Sequence, residues 1–224
     1  MIAGNNSALL CAIENEMAKR VESYAVASIP NRFQKPQENA FSAPAAANAL
    51  REKARIPLEW NPGSAISARA LVIAAENRLG HVSEALLVCS PPSVFCAAAD
   101  LKPVDIEVLT NDHVKSWLFL ARELAASFKA RGQGTLSLIY PEAASAGKGH
   151  SGDILGATAI ASFRALALGL LAGASGEAYV AQGFAGGEAG TEAAFANFIF
   201  KQFDDSRRRT SGKLHKFGKP GFFK

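Results

Sequence analysis

The hydrophobic positions alternate between two patterns along the whole chain. Short continuous apolar runs, such as EALLVCS at 84–90 and TLSLIY at 135–140, are typical of strands in a parallel sheet, because both faces of such a sheet are covered. Longer stretches with apolar residues three or four positions apart are typical of helices. This order predicts βαβ units, with seven parallel strands and six helices in one doubly wound α/β domain over residues 1–224. The predicted strands cover residues 1–4, 23–29, 56–60, 84–90, 135–140, 177–184 and 211–217.

Two predicted helices carry most of the functional argument. Residues 111–134 contain the clearest helical pattern, which Asn111 or Asp112 would cap and Gly132 would end. The segment GDILGATAIASFRALALGLLAG, residues 152–173, predicts a helix that is entered from a Gly-rich turn and has few polar side chains. A helix that is apolar nearly all round is buried on more than one face. We therefore expect one side to contact the sheet and the other side to contact a partner.

Composition and charge are those of an ordinary globular protein, with 49% hydrophobic residues, 20% charged residues and a net charge of +4. Much of the positive charge lies near the C-terminus, which leaves open an adaptor function with an acidic partner. No aromatic-rich basic stripe is present elsewhere, which argues against nucleic-acid binding. The basic residues of such an adaptor would be Arg207, Arg208, Arg209, Lys213 and Lys216.

The sequence also predicts a cytoplasmic protein. Its three cysteines, Cys11, Cys89 and Cys96, form no CxxC pair and have no metal-site spacing, so we expect no metal and buried thiols in a reducing compartment. No basic segment precedes an apolar run at the N-terminus, so we expect no signal peptide. The most apolar stretch, ALALGLLAGA, has about half of the ~20 residues of a membrane span, so we expect no membrane association.

Four stretches resemble the short-chain dehydrogenases/reductases. ENRLGHVSEALLV resembles the family's helix-end glycine and fourth strand, and HVKSWLFLARELAASFKARGQGTLSLI resembles its long fifth helix and fifth strand. LGATAIASFRALALGLL is similar to the sixth helix, and FANFIFKQFDDSRRRTSGKLHKFGK is similar to the C-terminal helix and last strand. The resemblance spans nearly the whole chain and implies a Rossmann-type fold with three α/β/α layers.

The family's cofactor turn departs from its usual GxxxGxG pattern. Such glycines allow a tight turn and let the backbone approach a pyrophosphate at a helix N-terminus. Here Gly4 is retained, whereas Ala8 and Leu10 replace the other two glycines. The resemblance implies NAD or NADP as the cofactor, or no cofactor at all. An arginine after the second strand would face a 2′-phosphate. The polar residues at the turn could instead only cap the helix. The candidate cofactor-binding residues are Gly4, Asn6, Ser7, Arg32 and Asn61.

The positions that hold the family's catalytic groups are also changed. The resemblance implies a tyrosine acid/base, a lysine that lowers its pKa, a serine that orients substrate and an asparagine that holds water. These places are occupied by Leu155, Ala159, Pro141 and His113 in that order. Leucine and alanine cannot transfer protons, so these places predict no catalytic residue. A relocated site remains open, and it would use Tyr140, Lys148, His150 and Asp153.

The favoured prediction is therefore a pseudoenzyme with the family's fold that acts as a binding or structural module. The alternatives are an NAD(P)-dependent oxidoreductase with substituted catalytic residues and the adaptor with a basic tail. The resemblance further implies a homodimer or homotetramer through the helices at 112–131 and 153–172. Trp117, Phe119 and Leu120 are expected at that interface.

Overall fold

A parallel seven-stranded sheet organises the described part of the chain, in the strand order β3-β2-β1-β4-β5-β6-β7. The computed structural model describes residues 1–33, 45–142, 152–186, 190–205 and 210–218, without the side chains of 45–48 and 50. The strands are β1 (Ile2–Asn5), β2 (Tyr24–Ile29), β3 (Arg55–Leu58), β4 (Glu84–Val88), β5 (Thr135–Pro141), β6 (Val180–Gly186) and β7 (Lys213–Lys216).

Helices cover both faces of this sheet. The helices are α1 (Ala8–Ala18), α2 (Ala45–Ala54), α3 (Ala65–Leu79), α4 (Pro103–Leu109), α5 (Ser116–Arg131), α6 (Ile154–Gly173) and α7 (Glu192–Asp204). Buried residues of α3, α5 and α6 form one core with the sheet, whereas those of α1 and α7 form a second core. The predicted Rossmann-type sheet with three α/β/α layers is confirmed.

The helix before β5 differs from the prediction, because it begins earlier in the chain. Pro103 starts α4, where its missing N–H costs nothing, and a π-helical turn at Thr110–Lys115 joins α4 to α5. Asn111 and Asp112 therefore lie inside a continuous helical segment and do not cap it. The described residues thus contain one α-helix more than we expected. Single π-turns within helices are frequent at functional sites.

Helix α6 is longer than its most apolar stretch suggested. Together with a following 3₁₀ turn, Ile154–Gly176 has 23 residues and a mean hydropathy of 1.8, enough by length and composition to cross a membrane. Its buried residues recur four positions apart and pack on the sheet side, so that α6 is a core helix on this face. The opposite face is open, where Ile154 is 38% exposed and Leu168 is 43% exposed.

Two residues expected at a subunit interface lie instead in the core. Trp117 and Leu120 are buried in α5, and the Trp117 ring packs edge-on against Phe163 with 5.2 Å between centroids. The outward position in this turn of α5 belongs to Leu118, which is 49% exposed, and Phe119 is half-buried. All four residues of the WLFL segment are apolar, so the periodicity alone did not distinguish the inner from the outer face.

Candidate functional site

A cleft lies at the carboxyl edge of the sheet, where the strand order reverses between β1 and β4. In doubly wound folds this reversal opens the crevice in which ligands bind. The cleft has a volume of about 280 Å³. Its lining residues are Asn5, Asn6, Ser7, Ala8, Asn31, Ser90, Pro91 and Pro92.

Gly4 permits the close packing beneath this cleft. A Cβ atom on Gly4 would lie 3.0 Å from the Val88 carbonyl oxygen and 3.0 Å from Leu10 Cδ1. Leu10 is buried and fills the space above Gly4, where the family pattern has a third glycine. The contact between α1 and the sheet is therefore made by a leucine side chain, and Gly4 has a packing function here.

The N-terminus of α1 opens into the cleft. Ser7 is its cap, since its Oγ accepts a hydrogen bond from the Leu10 N–H at 3.1 Å. The N–H groups of Ala8 and Leu9 have no partner within the helix, because they belong to its first turn. Ser7 keeps a hydroxyl proton to donate, and Asn6 is exposed at the cleft rim. Together these groups form an environment suited to an anion.

Asn5 is the least expected residue of the cleft. Asn5 is one of the lining residues although it is only 3% exposed; its Nδ2 and Oδ1 atoms are both buried and have no hydrogen-bond partner among the described residues. A buried polar group without a partner costs about 1–3 kcal/mol. From the sequence, Asn5 is one of three polar residues after the apolar run MIAG, with Asn6 and Ser7, that could donate to an anion, but its burial is not evident there.

Arg32 and Asn61, two candidate cofactor-binding residues, are directed elsewhere. Arg32 Nε lies 3.3 Å from Asp112 Oδ2, so its charge faces a carboxylate that is 1% exposed. Burial raises the pKa of Asp112, and Arg32 opposes that rise. The Asn61 side chain accepts a hydrogen bond from the Gly63 N–H at 3.2 Å. Neither residue lines the cleft, so the structure does not bring them together with Asn6 and Ser7.

An apolar cluster fills the neighbouring part of the same sheet edge. Leu155 and Ala159, the predicted tyrosine and lysine places, are buried there with Leu109. Side chains from the segments after β2 and β4 pack against these three residues. We call this cluster the apolar plug, and it consists of Phe33, Val94, Leu101, Leu109, Leu155 and Ala159.

Asp153 holds the loop after β4 against the start of α6. Its Oδ1 accepts hydrogen bonds from the Gly156 N–H at 2.9 Å, which caps α6, and from the Val94 N–H at 3.1 Å. The Cys96 N–H adds a bond to the Gly152 carbonyl at 3.1 Å. Asp153 thus has an architectural role in this structure. Lys148 and His150, its proposed companions in a relocated site, lie outside the described residues.

His113 lies deep below the plug, in the π-helical turn. The residue is 0% exposed, its ring stacks on Phe33 with 6.3 Å between centroids, and neither ring nitrogen has a hydrogen-bond partner among the described residues. Burial lowers the pKa of His113 to about 4. The imidazole is therefore neutral near pH 7, and its surroundings disfavour the charged form that a proton carrier must pass through.

Tyr140 and Pro141 face a second, mostly apolar groove of about 270 Å³, which α6 and β7 border. Tyr140 is 2% exposed and packs on Phe163 with 6.0 Å between ring centroids. Burial raises the pKa of Tyr140, and Arg164 opposes this rise. The groove at Tyr140 and the cleft at α1 are thus lined by different residues.

Two basic residues of the proposed adaptor surface belong to the edge strand β7. Lys213 and Lys216 are both exposed, and Lys216 Nζ lies 3.2 Å from Glu142 Oε1. The arginines at 207–209 lie outside the described residues. Within the described ranges, no group of three His, Cys, Asp or Glu side chains is arranged to hold a metal ion.

Comparisons with known proteins place the fold. No protein-family model and no curated protein matches the sequence. Among solved structures, a short-chain dehydrogenase from Mycobacterium smegmatis is 12% identical, with a TM-score of 0.70 over 98% of this chain and 92% of that chain. A sorbitol-6-phosphate 2-dehydrogenase from Erwinia amylovora is 10% identical, with a TM-score of 0.72 and 97% coverage of both chains. The NADH-dependent reductase A1-R′ in complex with NAD is 14% identical, with a TM-score of 0.67 over 96% of this chain and 93% of that chain. The chain has the short-chain dehydrogenase/reductase fold.

Proposed function

We propose that this protein is a pseudoenzyme with the short-chain dehydrogenase/reductase fold, which binds a ligand at the α1 cleft and transfers no hydride. The observation that carries the proposal is the apolar plug. A tyrosine with an ordinary pKa of ~10 is a poor base at neutral pH and needs a neighbouring ammonium group. Leu155 and Ala159 supply neither group, and both are buried among the apolar side chains of the plug.

The experiment is a turnover assay with NADH and NADPH over a panel of aldehydes and ketones, following the absorbance of the reduced nicotinamide. We expect no oxidation above the protein-free rate. Turnover that survives repurification would refute the proposal. In that case Tyr140→Phe and His113→Gln variants would show whether either titratable group carries the reaction.

The competing function is an NAD(P)-dependent oxidoreductase with substituted catalytic residues. Its support is the fold itself, which is shared with a reductase solved in complex with NAD, and a cleft at the carboxyl edge of the sheet. It differs from the first proposal in one measurable respect, which is hydride transfer. The same turnover assay therefore separates the two functions.

We also propose that the protein forms a homodimer or homotetramer through the open face of α6 and the adjoining face of α5. Ile154 and Leu168 on α6 and Leu118 on α5 are large exposed apolar residues, and Arg164 is the single charged residue within α6. Burying such area is worth about 25 cal/mol per Å² of apolar surface. Light scattering at micromolar concentration tests this, and a monomeric mass would contradict it.

The state of the cysteines supports a cytoplasmic location for the proposed module. Cys11, Cys89 and Cys96 are all free thiols. Cys89 is fully buried, whereas Cys11 and Cys96 are only half-buried, so the expectation of buried thiols is wrong for these two. Burial also raises the pKa of Cys89 far above neutrality, so this thiol is inert. Fractionation of the tagged protein from its own cells tests the location, and recovery outside the cytoplasm would contradict it.

A further inference from the structure

We propose that the groove between α6 and β7 is a second binding site, which takes a small monocarboxylate with an apolar chain. The groove has a volume of about 270 Å³, close to the lower end of the ~300–1,000 Å³ typical of ligand sites. It lies apart from the α1 cleft, since different described residues line the two. The inference therefore goes beyond the proposed function and does not depend on it.

One flank of α6 forms an apolar wall of this groove. Three residues of the wall are small and recur four positions apart, namely Ala157, Ala161 and Ala165. Ile160 and Leu168 add larger apolar side chains, and Leu214 of β7 lies on the opposite side. Leu168 is 43% exposed, so a ligand chain in the groove would remove apolar surface from water.

One positive charge in the groove has no counter-charge. Four polar side chains line it, those of Tyr140, Glu142, Arg164 and Lys216. Lys216 Nζ lies 3.2 Å from Glu142 Oε1, so these two charges compensate each other. Arg164 is exposed and makes no hydrogen bond or ion pair with the residues that the structure describes. Its guanidinium is therefore free to bind an anion.

Tyr140 is an independent indication of a ligand. The residue is 2% exposed, its ring packs on Phe163, and its hydroxyl has no hydrogen-bond partner in the described part of the chain. The hydroxyl is not among the fully enclosed unpaired atoms, so it keeps accessible surface where Tyr140 lines the groove. Burial raises its pKa and Arg164 acts against that rise, so the hydroxyl carries its proton at neutral pH and can donate it.

These two free groups select a carboxylate with a single charge. A guanidinium binds a carboxylate through two parallel N–H···O bonds, and the Tyr140 hydroxyl can donate to one of the same oxygens. A phosphate monoester carries nearly two negative charges. The second charge would find no further free cation in the groove, because Lys216 is paired with Glu142.

The groove and the proposed subunit contact use different faces of α6. Successive residues turn about 100° round a helix, which places Arg164 about 80° from Ile154 on the helix surface. Arg164 lines the groove with β7, whereas Ile154 does not. Leu168 lies between these two directions. A dimer through the face next to α5 can therefore form without closing the groove.

Isothermal titration calorimetry of the full chain with butanoate, hexanoate and octanoate tests this inference. We expect saturable binding, with an affinity that rises about fourfold for each methylene buried until the groove is filled. Hexanol has the chain without the charge, acetate has the charge without the chain, and hexyl phosphate has the chain on a phosphate. Each of these three should bind about tenfold more weakly than hexanoate, or weaker still.

Variants of three groove residues locate the binding. Arg164→Met removes the charge and should weaken hexanoate binding about tenfold, whereas Arg164→Lys should retain part of the affinity. Tyr140→Phe removes only the hydroxyl and should also weaken binding about tenfold. Ala157→Phe fills the groove from an exposed position and should abolish binding.

The matched control is Arg69→Met, at an exposed arginine of α3 outside the groove, which should leave the affinity unchanged. Circular dichroism and thermal melting confirm that each variant is folded before titration. Hexanoate binding that survives Arg164→Met and Tyr140→Phe unchanged would overturn the inference.

Other ligand results would also overturn it. Hexanol binding as tightly as hexanoate would leave only an apolar surface, and acetate binding as tightly would leave a simple anion site. Tighter binding of hexyl phosphate would assign a phosphate head group, and no binding at millimolar concentration would remove the site. If Ala157→Phe lowers the mass measured by light scattering and hexanoate does not bind, a second copy of the chain occupies the groove. The hydride-transfer assay decides the pseudoenzyme proposal independently of these results.

Discussion

The burial of His113 predicts that the protein loses stability in mild acid. Burial lowers the pKa of His113 in the folded protein to about 4, whereas its ordinary value in an unfolded chain is 6.5. Since the unfolded chain binds the proton more tightly, the contribution of His113 is complete above pH 6.5 and is lost as the pH falls towards 4. The full loss is about 3 kcal/mol, of which about 2 kcal/mol is already lost near pH 5.

Urea unfolding at a series of pH values between about 7 and about 4.5 measures this loss for the natural protein and for His113→Gln. Glutamine has a polar side chain of similar length but does not titrate. The difference in unfolding free energy between the two proteins should change by about 2 kcal/mol between pH 7 and pH 5 in favour of the variant.

Two buried carboxyl groups, Glu14 and Asp112, contribute to the pH dependence of stability with a sign opposite to that of His113. Burial raises the pKa of both groups, so their contributions to stability increase as the pH falls through the range between their unfolded and folded pKa values. Both groups are present in the natural protein and in the variant, so their effect cancels in the difference. If the difference in unfolding free energy between the natural protein and His113→Gln is the same at pH 7 and at pH 5, the reasoning about His113 is wrong.

Three further predictions concern packing, charge and assembly. Gly186→Ala should lower the free energy of unfolding in urea by about 1–3 kcal/mol, because the new Cβ would overlap the Phe195 ring. Its control is Gly169→Ala on the open face of α6, which should raise the free energy of unfolding by up to ~1 kcal/mol. Arg55→Met should lower the free energy of unfolding by about 3 kcal/mol at neutral pH, because Glu14, which is 6% exposed, loses the cation that lies 3.0 Å away. Adding Glu14→Gln should recover most of this loss. If the double variant recovers nothing, the ion-pair explanation is wrong. Leu168→Asp should reduce the mass measured by light scattering, whereas Ile66→Asp, at an 83% exposed residue of α3, should not.

Much of the fold could be predicted because its signals are local. The strands β4 and β5 are continuous apolar runs, and their observed ends lie within two residues of the predicted ones. Ser7 caps α1 as its position before the first helical residue suggested. The helix before β5 was less predictable, since KPVDIEVLTNDHVKSW contains two possible helix starts. Pro103 is the start that the structure uses, and the polar Asn111–Asp112 pair is accommodated by a π-helical turn.

The candidate site could be predicted only in part, because burial is a tertiary property. Asn6 and Ser7 lie at the cleft, since the end of the first strand and the start of the first helix specify that location, and their binding of a cofactor stays a prediction. The orientation of Arg32 towards Asp112 depends on a helix 80 positions away in the chain. The plug joins residues from four separate segments, and no single segment shows a pattern that indicates the contact.

We place binding, and not catalysis, at this edge of the sheet because of the residues in its two halves. In the half beyond β4, the predicted tyrosine and lysine places hold Leu155 and Ala159, which are buried in the apolar plug. In the half beside β1, Asn5 keeps a buried amide without a partner, at a cost of about 1–3 kcal/mol that no described contact offsets. In the same half, the first-turn N–H groups of α1 and the Ser7 hydroxyl can donate to an anion, which favours binding there.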